Sequence, residues 1–187
     1  MFPALFLDRD GVLIEYRPNY VRTWEDVVIY PSSIAALVKV KDTPYKIILV
    51  TNQSAVGRGI ISLETALNIN RHLELEIIKA GGRIDGIFMC PHTPKENCAC
   101  RKPKPGLILQ AAQALNLDLP QSILVGDALS DLEAGQAASI GQLALVRTGR
   151  GAQEEHLLPK PTKTNFVIFD DLAEVVSQLI LRPHPSS

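Results

Sequence analysis

Ala4-Leu5-Phe6-Leu7 runs without interruption into Asp8-Arg9-Asp10-Gly11-Val12. An apolar run of this length, bounded by a charged turn, reads as a strand buried on both faces. Asp8 and Asp10 stand two residues apart at its C-terminal end, and in extended chain positions i and i+2 point the same way. The two carboxylates are therefore expected to face one point in space, where the strand opens into a loop. Like charges held that close repel, so one stays protonated unless a cation neutralises the pair. The arrangement suits an anionic nucleophile, a metal ion and a nearby proton donor. A capped strand end with two solvated acids fits the same residues.

Working outward, further apolar runs recur with helical segments between them. Strands are expected at Lys46–Thr51, Ile84–Cys90, Ser122–Asp127 and Gln142–Val146, with Phe166–Phe169 as an edge strand. Helices are expected at Ser32–Val40, Ser62–Lys79, Gly106–Leu115, Leu129–Ala138 and Leu172–Leu181. Ser62 makes a suitable helix start and Gly81-Gly82 a stop, and Asp170 or Asp171 can cap the last helix. This alternation implies an α/β chain, a doubly wound and mostly parallel sheet covered on both faces. With 187 residues, 46% of them apolar, residues 1–181 are expected to form a single domain. Gly149 to Thr164 reads as a surface loop and residues 182–187 as a loose tail.

Composition excludes some classes of function. A net charge of −1 argues against a broad nucleic-acid surface, though not against a small basic pocket. No apolar stretch approaches the roughly 20 residues of a membrane span, and the first residues lack a signal-peptide pattern. A cytoplasmic, monomeric protein with no nucleic-acid or membrane partner is expected.

In open α/β sheets ligands bind outside the carboxyl ends of the strands, and those ends are where the polar residues collect. The first strand ends on Asp8-Arg9-Asp10, the second on Thr51-Asn52-Gln53-Ser54. The third leads to a cysteine cluster and then Arg101-Lys102-Pro103. The fourth ends on Gly126-Asp127, with Asp131 four residues on. Their convergence points to a phosphate-handling site. Asp8 can attack phosphorus as a carboxylate and form an aspartyl-phosphate. A hard divalent cation, Mg²⁺, would keep it ionised, held by Asp8, Asp127 and the Asp10 backbone carbonyl. The Asp10 side chain can protonate the leaving alkoxide and then activate water. Thr51 and Asn52 can donate to phosphoryl oxygens, and Lys102 adds positive charge where negative charge develops.

All three cysteines lie within eleven residues of one another: Cys90-Pro91-His92 and Cys98-Ala99-Cys100. Three thiolates and one imidazole fit a closed tetrahedral Zn²⁺ site of the structural kind. The loop is otherwise rich in Pro and Lys, so metal would order it and would position Arg101 and Lys102, which follow the last ligand. Reduced surface thiols and a solvated histidine remain the alternative.

Asp8-Arg9-Asp10-Gly11, Thr51-Asn52-Gln53, Lys102-Pro103 and Gly126-Asp127-xxx-Asp131 resemble, in order, the four motifs of the haloacid dehalogenase-like (HAD) phosphatases. The resemblance implies a Rossmann-like core, Mg²⁺ and the roles just described. No insertion is long enough for a large cap domain. The cysteine loop resembles the zinc-bearing branch of that family, whose members act on D-glycero-D-manno-heptose 1,7-bisphosphate or on histidinol phosphate. Gly57-Arg58-Gly59, Lys104-Pro105-Gly106 and Val146-Arg147-Thr148-Gly149 lean towards the heptose group, in which the C7 phosphate is removed. That resemblance implies substrate contacts from Arg101 and from Gln53, Ser54, Asn19 and Tyr20. Arg17, Arg22, Arg58 and Arg101 likewise favour an anionic substrate, a small phosphorylated sugar. Histidinol phosphate, another small phosphoester and a nucleic-acid 3′ end are alternative substrates, and a phosphoacceptor signalling domain is the alternative of a different class.

Overall fold

The computed structural model describes residues 1–157 and 166–181. Six strands form one sheet: β1 Ala4–Leu7, β2 Lys46–Asn52, β3 Gly86–Cys90, β4 Ile123–Gly126, β5 Gln142–Val146 and β6 Phe166–Phe169. Every pairing is parallel and the order is β3-β2-β1-β4-β5-β6. The helices are α1 Pro31–Val40, α2 Ser54–Gly57, α3 Leu63–Lys79, α4 Gly106–Leu115, α5 Leu129–Ala137, α6 Gly151–Glu154 and α7 Leu172–Val175, the last continuing into a π turn, Val176–Ile180. No additional folded unit interrupts this layout among the described residues. No helix among them is long and apolar enough to cross a membrane.

The alternation of side chains along each strand divides the core in two. Leu5, Leu7, Ile47, Leu49 and Val125 pack with α1, α3 and α7 on one face. Ala4, Phe6, Ile48, Val50 and Leu124 pack with α4 and α5 on the other. Both faces are covered, which is why β1 is four consecutive apolar residues with no exposed position. In α3 the buried residues Ala66, Ile69, Asn70, Leu73 and Ile77 recur at helical spacing, with Ser62 accepting from the Thr65 amide as its N-cap. Asp171 caps α7 through the Glu174 amide.

The expected elements are present, with three adjustments. The third strand starts at Gly86 rather than Ile84, because the Asp85 carboxylate accepts from the Ile47 amide and from Lys46 and so turns the chain into the sheet. The stretch from Gly149 onward is not a plain loop. It opens with α6 and a 3₁₀ turn, Glu155–Leu157, held by Arg147, whose guanidinium bonds Glu155 and Asp170. The rest of that expected loop, 158–165, and the tail 182–187 lie outside the described residues. The last helix closes as a π turn instead of running as α-helix to Leu181.

The strand order reverses direction between β1 and β4. This is the topological switch point, where the connections from neighbouring strands leave to opposite sides and open a crevice. Asp8 follows β1 and Asp127 follows β4. The Asp8 amide donates to Val125 O at 3.0 Å, which fixes the two strand ends side by side.

Candidate active site

A cleft of about 430 Å³ opens at this switch point, lined by Asp8, Asp10, Gln53, Ser54, Arg101 and Lys102 together with Tyr16, Arg17, Tyr20 and Arg150. Thr51 and Asp127 are buried and are not in its lining. A slightly larger depression, about 470 Å³, is lined mainly by α3 and β3 and holds none of the expected site residues.

Lys102 forms the centre. Its ammonium is buried and lies 2.9 Å from Asp8 Oδ1, 2.7 Å from Asp131 Oδ1 and 2.8 Å from the Val50 carbonyl to which it donates. Desolvation alone would lower the Lys102 pKa, but Asp131 and Asp8 outweigh it and hold the ammonium charged. Burial pushes the Asp8 carboxyl up to about 7, with Lys102 opposing and Asp131, Asp127 and Asp10 adding to the rise. Asp127 is raised by burial and by Asp131, with Arg150 opposing. Four carboxylates thus converge, against Lys102, Arg150 and Arg9.

That surplus of negative charge is the chemical test for a divalent cation, and the residues pass it. Asp8, Asp127 and Asp131 are all buried, and each offers an oxygen within 4.8 Å of the others. Asp8 Oδ1 has the Lys102 ion-pair contact but no aligned hydrogen-bond donor. A Cβ at Gly11 or Gly149, both at positive φ, would overlap the Asp127 carboxylate, so the cradle is kept open by glycine. Asp131 joins the expected carboxylates Asp8 and Asp127 in this group; the Asp10 backbone carbonyl is the third oxygen expected there. Asp131 Oδ2 accepts from the Ala128 amide at 3.2 Å, and its other oxygen binds Lys102, so it fastens α5 to that ammonium.

Asp10 is turned towards a separate network. Arg9, 1% exposed, grips its carboxylate through Nε at 3.1 Å and Nη2 at 3.0 Å and donates from Nη1 to Asn70 of α3 at 2.9 Å. A buried guanidinium needs such partners. Gln53 Nε2 donates to Asp10 Oδ2 and to Thr51 Oγ1, each at 2.9 Å. Gln53, expected to touch substrate, therefore spends its amide N–H groups on the acid/base candidate and on Thr51.

Asn52 also has a structural partner. It lines the cleft, and its side-chain amide donates to Lys102 O at 3.0 Å while its Oδ1 accepts from Lys102 N at 3.1 Å. It brackets the lysine backbone. Asn19, expected at the substrate, does not line the cleft: it borders a neighbouring depression with Pro18, Arg22 and Glu25, and its carbonyl accepts from Arg22. Tyr20, at φ 66°, does line the cleft. Arg150 was not foreseen. Its amide and guanidinium both reach Asp127, at 2.9 and 3.3 Å. The only signal for it is position, two residues after the Thr148 that donates to Gly11 O at 2.5 Å.

The four metal-type ligands Cys90, His92, Cys98 and Cys100 also converge. Their neighbouring donor atoms stand 3.1 to 3.6 Å apart, close to the edge of about 3.8 Å expected when thiolates surround zinc at about 2.3 Å. Burial pushes the Cys90 thiol up to about 12. At Cys98 burial also raises the pKa, but bonds from Cys100 and Cys90 outweigh it and bring the thiol down to about 7. Three sulfurs and an imidazole nitrogen at this spacing are compatible with a Zn²⁺ site. Arg101, one residue after Cys100, donates to His92 O at 3.1 Å and reaches the cleft wall.

A family model described as HAD-hydrolase-like matches residues 99–175. The chain is 38% identical over 176 residues to a D-glycero-beta-D-manno-heptose-1,7-bisphosphate 7-phosphatase of Pseudomonas aeruginosa, covering 94% of this chain and 97% of that one. This chain belongs to that phosphatase family. A relative of the same name from Photorhabdus laumondii is 39% identical over 160 residues, 82% of this chain and 85% of its own. The D,D-heptose 1,7-bisphosphate phosphatase of B. bronchiseptica, solved with magnesium and phosphate, superposes with a TM-score of 0.86 at 34% identity, covering 95% and 97% of the two chains. The enzyme of Burkholderia thailandensis gives 0.70 at 28% identity, covering 96% and 99%. Relatives of this identity over most of the chain, together with the HAD-like family model, make this protein a phosphatase of the HAD-like hydrolases.

Proposed function

We propose that residues 1–181 act as one Mg²⁺-dependent phosphatase unit, monomeric and cytoplasmic, that removes the C7 phosphate of D-glycero-D-manno-heptose 1,7-bisphosphate. The observation that carries this reading is the buried junction of Asp8, Lys102 and Asp131 at the switch point, opening into a cleft walled by Arg17 and Arg101. Asp8 attacks phosphorus and the bond to the sugar oxygen breaks, leaving a phosphoaspartate. Lys102 holds the Asp8 carboxylate in place and offsets charge gathering on the phosphoryl oxygens. Asp10, oriented by Arg9 and Gln53, protonates the departing alkoxide and then takes a proton from the water that attacks the phosphoaspartate. Bound at Asp8, Asp127 and the Asp10 carbonyl, Mg²⁺ would supply Lewis-acid charge and keep Asp8 ionised.

The planar fork of Arg101 suits the second phosphate, and Tyr20 and Ser54 border the same space. Histidinol phosphate would bring cationic groups against Arg17 and Arg101, which disfavours it. Cys90, His92, Cys98 and Cys100 hold Zn²⁺ and so fix Arg101. The relatives' names specify the β-anomer, which we adopt. The test is steady-state phosphate release with Mg²⁺ from both heptose bisphosphate anomers and from histidinol phosphate. The β-anomer should give the highest kcat/KM, and Asp8→Asn should lower kcat on the order of 10⁴-fold or more with the far-UV spectrum retained. A preference for histidinol phosphate, or substantial turnover by Asp8→Asn, contradicts the proposal.

A further inference from the structure

We propose that Arg150 is a tethered counter-cation. It shares the Asp127 carboxylate with the catalytic divalent cation and, when displaced, turns its guanidinium to the phosphate groups of the substrate. This rests on the reading of the Asp8–Asp127 crevice as a divalent-cation site, not on the identity of the sugar.

The two holds of Arg150 on Asp127 differ in kind. The backbone amide donates to Oδ2 at 2.9 Å from a loop that cannot retreat. Gly149 lies against the Asp127 carboxylate and Gly11, and Thr148 is bonded to Gly11 O. The guanidinium hold is a single longer bond, Nη2 to Oδ1 at 3.3 Å, from a side chain 39% exposed. The Arg150 Nε is buried with no acceptor, so its donors are not fully used. Tyr16, at the cleft wall, lies beneath the guanidinium with 5.1 Å between Cζ and the ring centroid, a platform for a cation.

Asp127 is fully buried, so Coulomb terms at its two oxygens are only weakly screened. A divalent cation held at Asp127 would repel the guanidinium, and the weaker, more exposed bond is the one that would yield. The backbone bond to Oδ2 keeps the carboxylate aimed. The released side chain stays in the cleft wall with Arg17 and Arg101, where a phosphate dianion is its best partner. Cation and phosphate then assist each other, since each relieves Arg150 of its competitor.

Arg150→Gln keeps the backbone donor and removes the charge; Arg150→Lys keeps the charge and loses the fork. Calorimetric titration of Mg²⁺ into protein stripped of divalent cations should show affinity tightened on the order of fivefold in Arg150→Gln, with Arg150→Lys between it and wild type. Inorganic phosphate should gain more affinity from saturating Mg²⁺ in wild type than in Arg150→Gln. Unchanged or weakened Mg²⁺ binding in Arg150→Gln overturns the proposal, as does wild-type protein with no saturable Mg²⁺ binding. Neither titration contains sugar, so a different preferred phosphoester would defeat the heptose assignment and leave this result standing.

Discussion

At Asn52 one side chain reads as two things. In the sequence it is a strand-end amide suited to phosphate; in the fold it bonds both the amide and the carbonyl of Lys102, fifty residues away. Its role is to set where the ammonium sits between Asp8 and Asp131. Asn52→Ala removes both bonds, each worth roughly 0.5–1.5 kcal/mol net. The expected outcome is a loss of about 1–3 kcal/mol in urea unfolding, with a kcat that falls more than KM rises. An unchanged kcat would show that Lys102 holds its place without the bracket. Arg150 illustrates the same limit of reading from sequence. Asp8, Asp10, Thr51 and Lys102 are visible as residue types at strand ends. Some of their partners are local, Arg9 beside Asp10 and Gln53 two residues from Thr51, but the bonds of Asn52 to Lys102 and of Arg150 to Asp127 span 50 and 23 residues, and no local pattern encodes these.

Two loops bear on the cleft: one contributes Tyr16, Arg17, Tyr20 and Val21 to its wall and runs on into the 22–26 turn beside it, the other runs from Cys90 to Lys102. The 22–26 turn is held by Asp26, whose Oδ2 accepts from the Arg22 amide at 2.8 Å and the Thr23 amide at 3.0 Å. These bonds hold the Asp26 carboxyl below its usual range. A carboxyl lowered on folding adds stability above its unfolded pKa of about 3.9, and that stability is lost as pH falls through the folded value. Asp26→Ala should raise KM about 2- to 10-fold with little change in kcat at neutral pH, and should lack the wild type's loss of loop order below about pH 4, read by amide exchange. A kcat loss as large as the KM change would place this turn in the chemistry. The second loop runs from Cys90 to Lys102 and is tied by the four sulfur and nitrogen donors. Removing the proposed zinc by chelation, with Mg²⁺ then restored, should lower the unfolding temperature, raise KM through Arg101 and reduce kcat through Lys102. Metal-free, folded protein with unchanged kinetics would sever the loop from catalysis. The cysteine spacing made this cluster legible, because four ligands in eleven residues need no tertiary information to meet.

On the scale of the whole molecule, an all-parallel sheet in the order β3-β2-β1-β4-β5-β6 puts the ends of β1 and β4 beside the crevice. This explains why residues 8, 102 and 127 meet. The strands were legible because burial on both faces makes each an unbroken apolar run, as in Ile123-Leu124-Val125. The start of α6 was not, since Gly151–Glu154 has no apolar stripe and is fastened by Arg147 to Glu155 instead. The proposed function makes one joint claim: Asp8 serves a catalytic cycle that takes phosphate from C7 and leaves C1 untouched. The most direct test follows D-glycero-β-D-manno-heptose 1,7-bisphosphate with Mg²⁺ and enzyme by ³¹P NMR. The account predicts that the C7 resonance disappears and inorganic phosphate appears in equal amount, over many turnovers, while the C1 resonance persists. Loss of the C1 resonance first, or release that stops at one phosphate per protein, would contradict it.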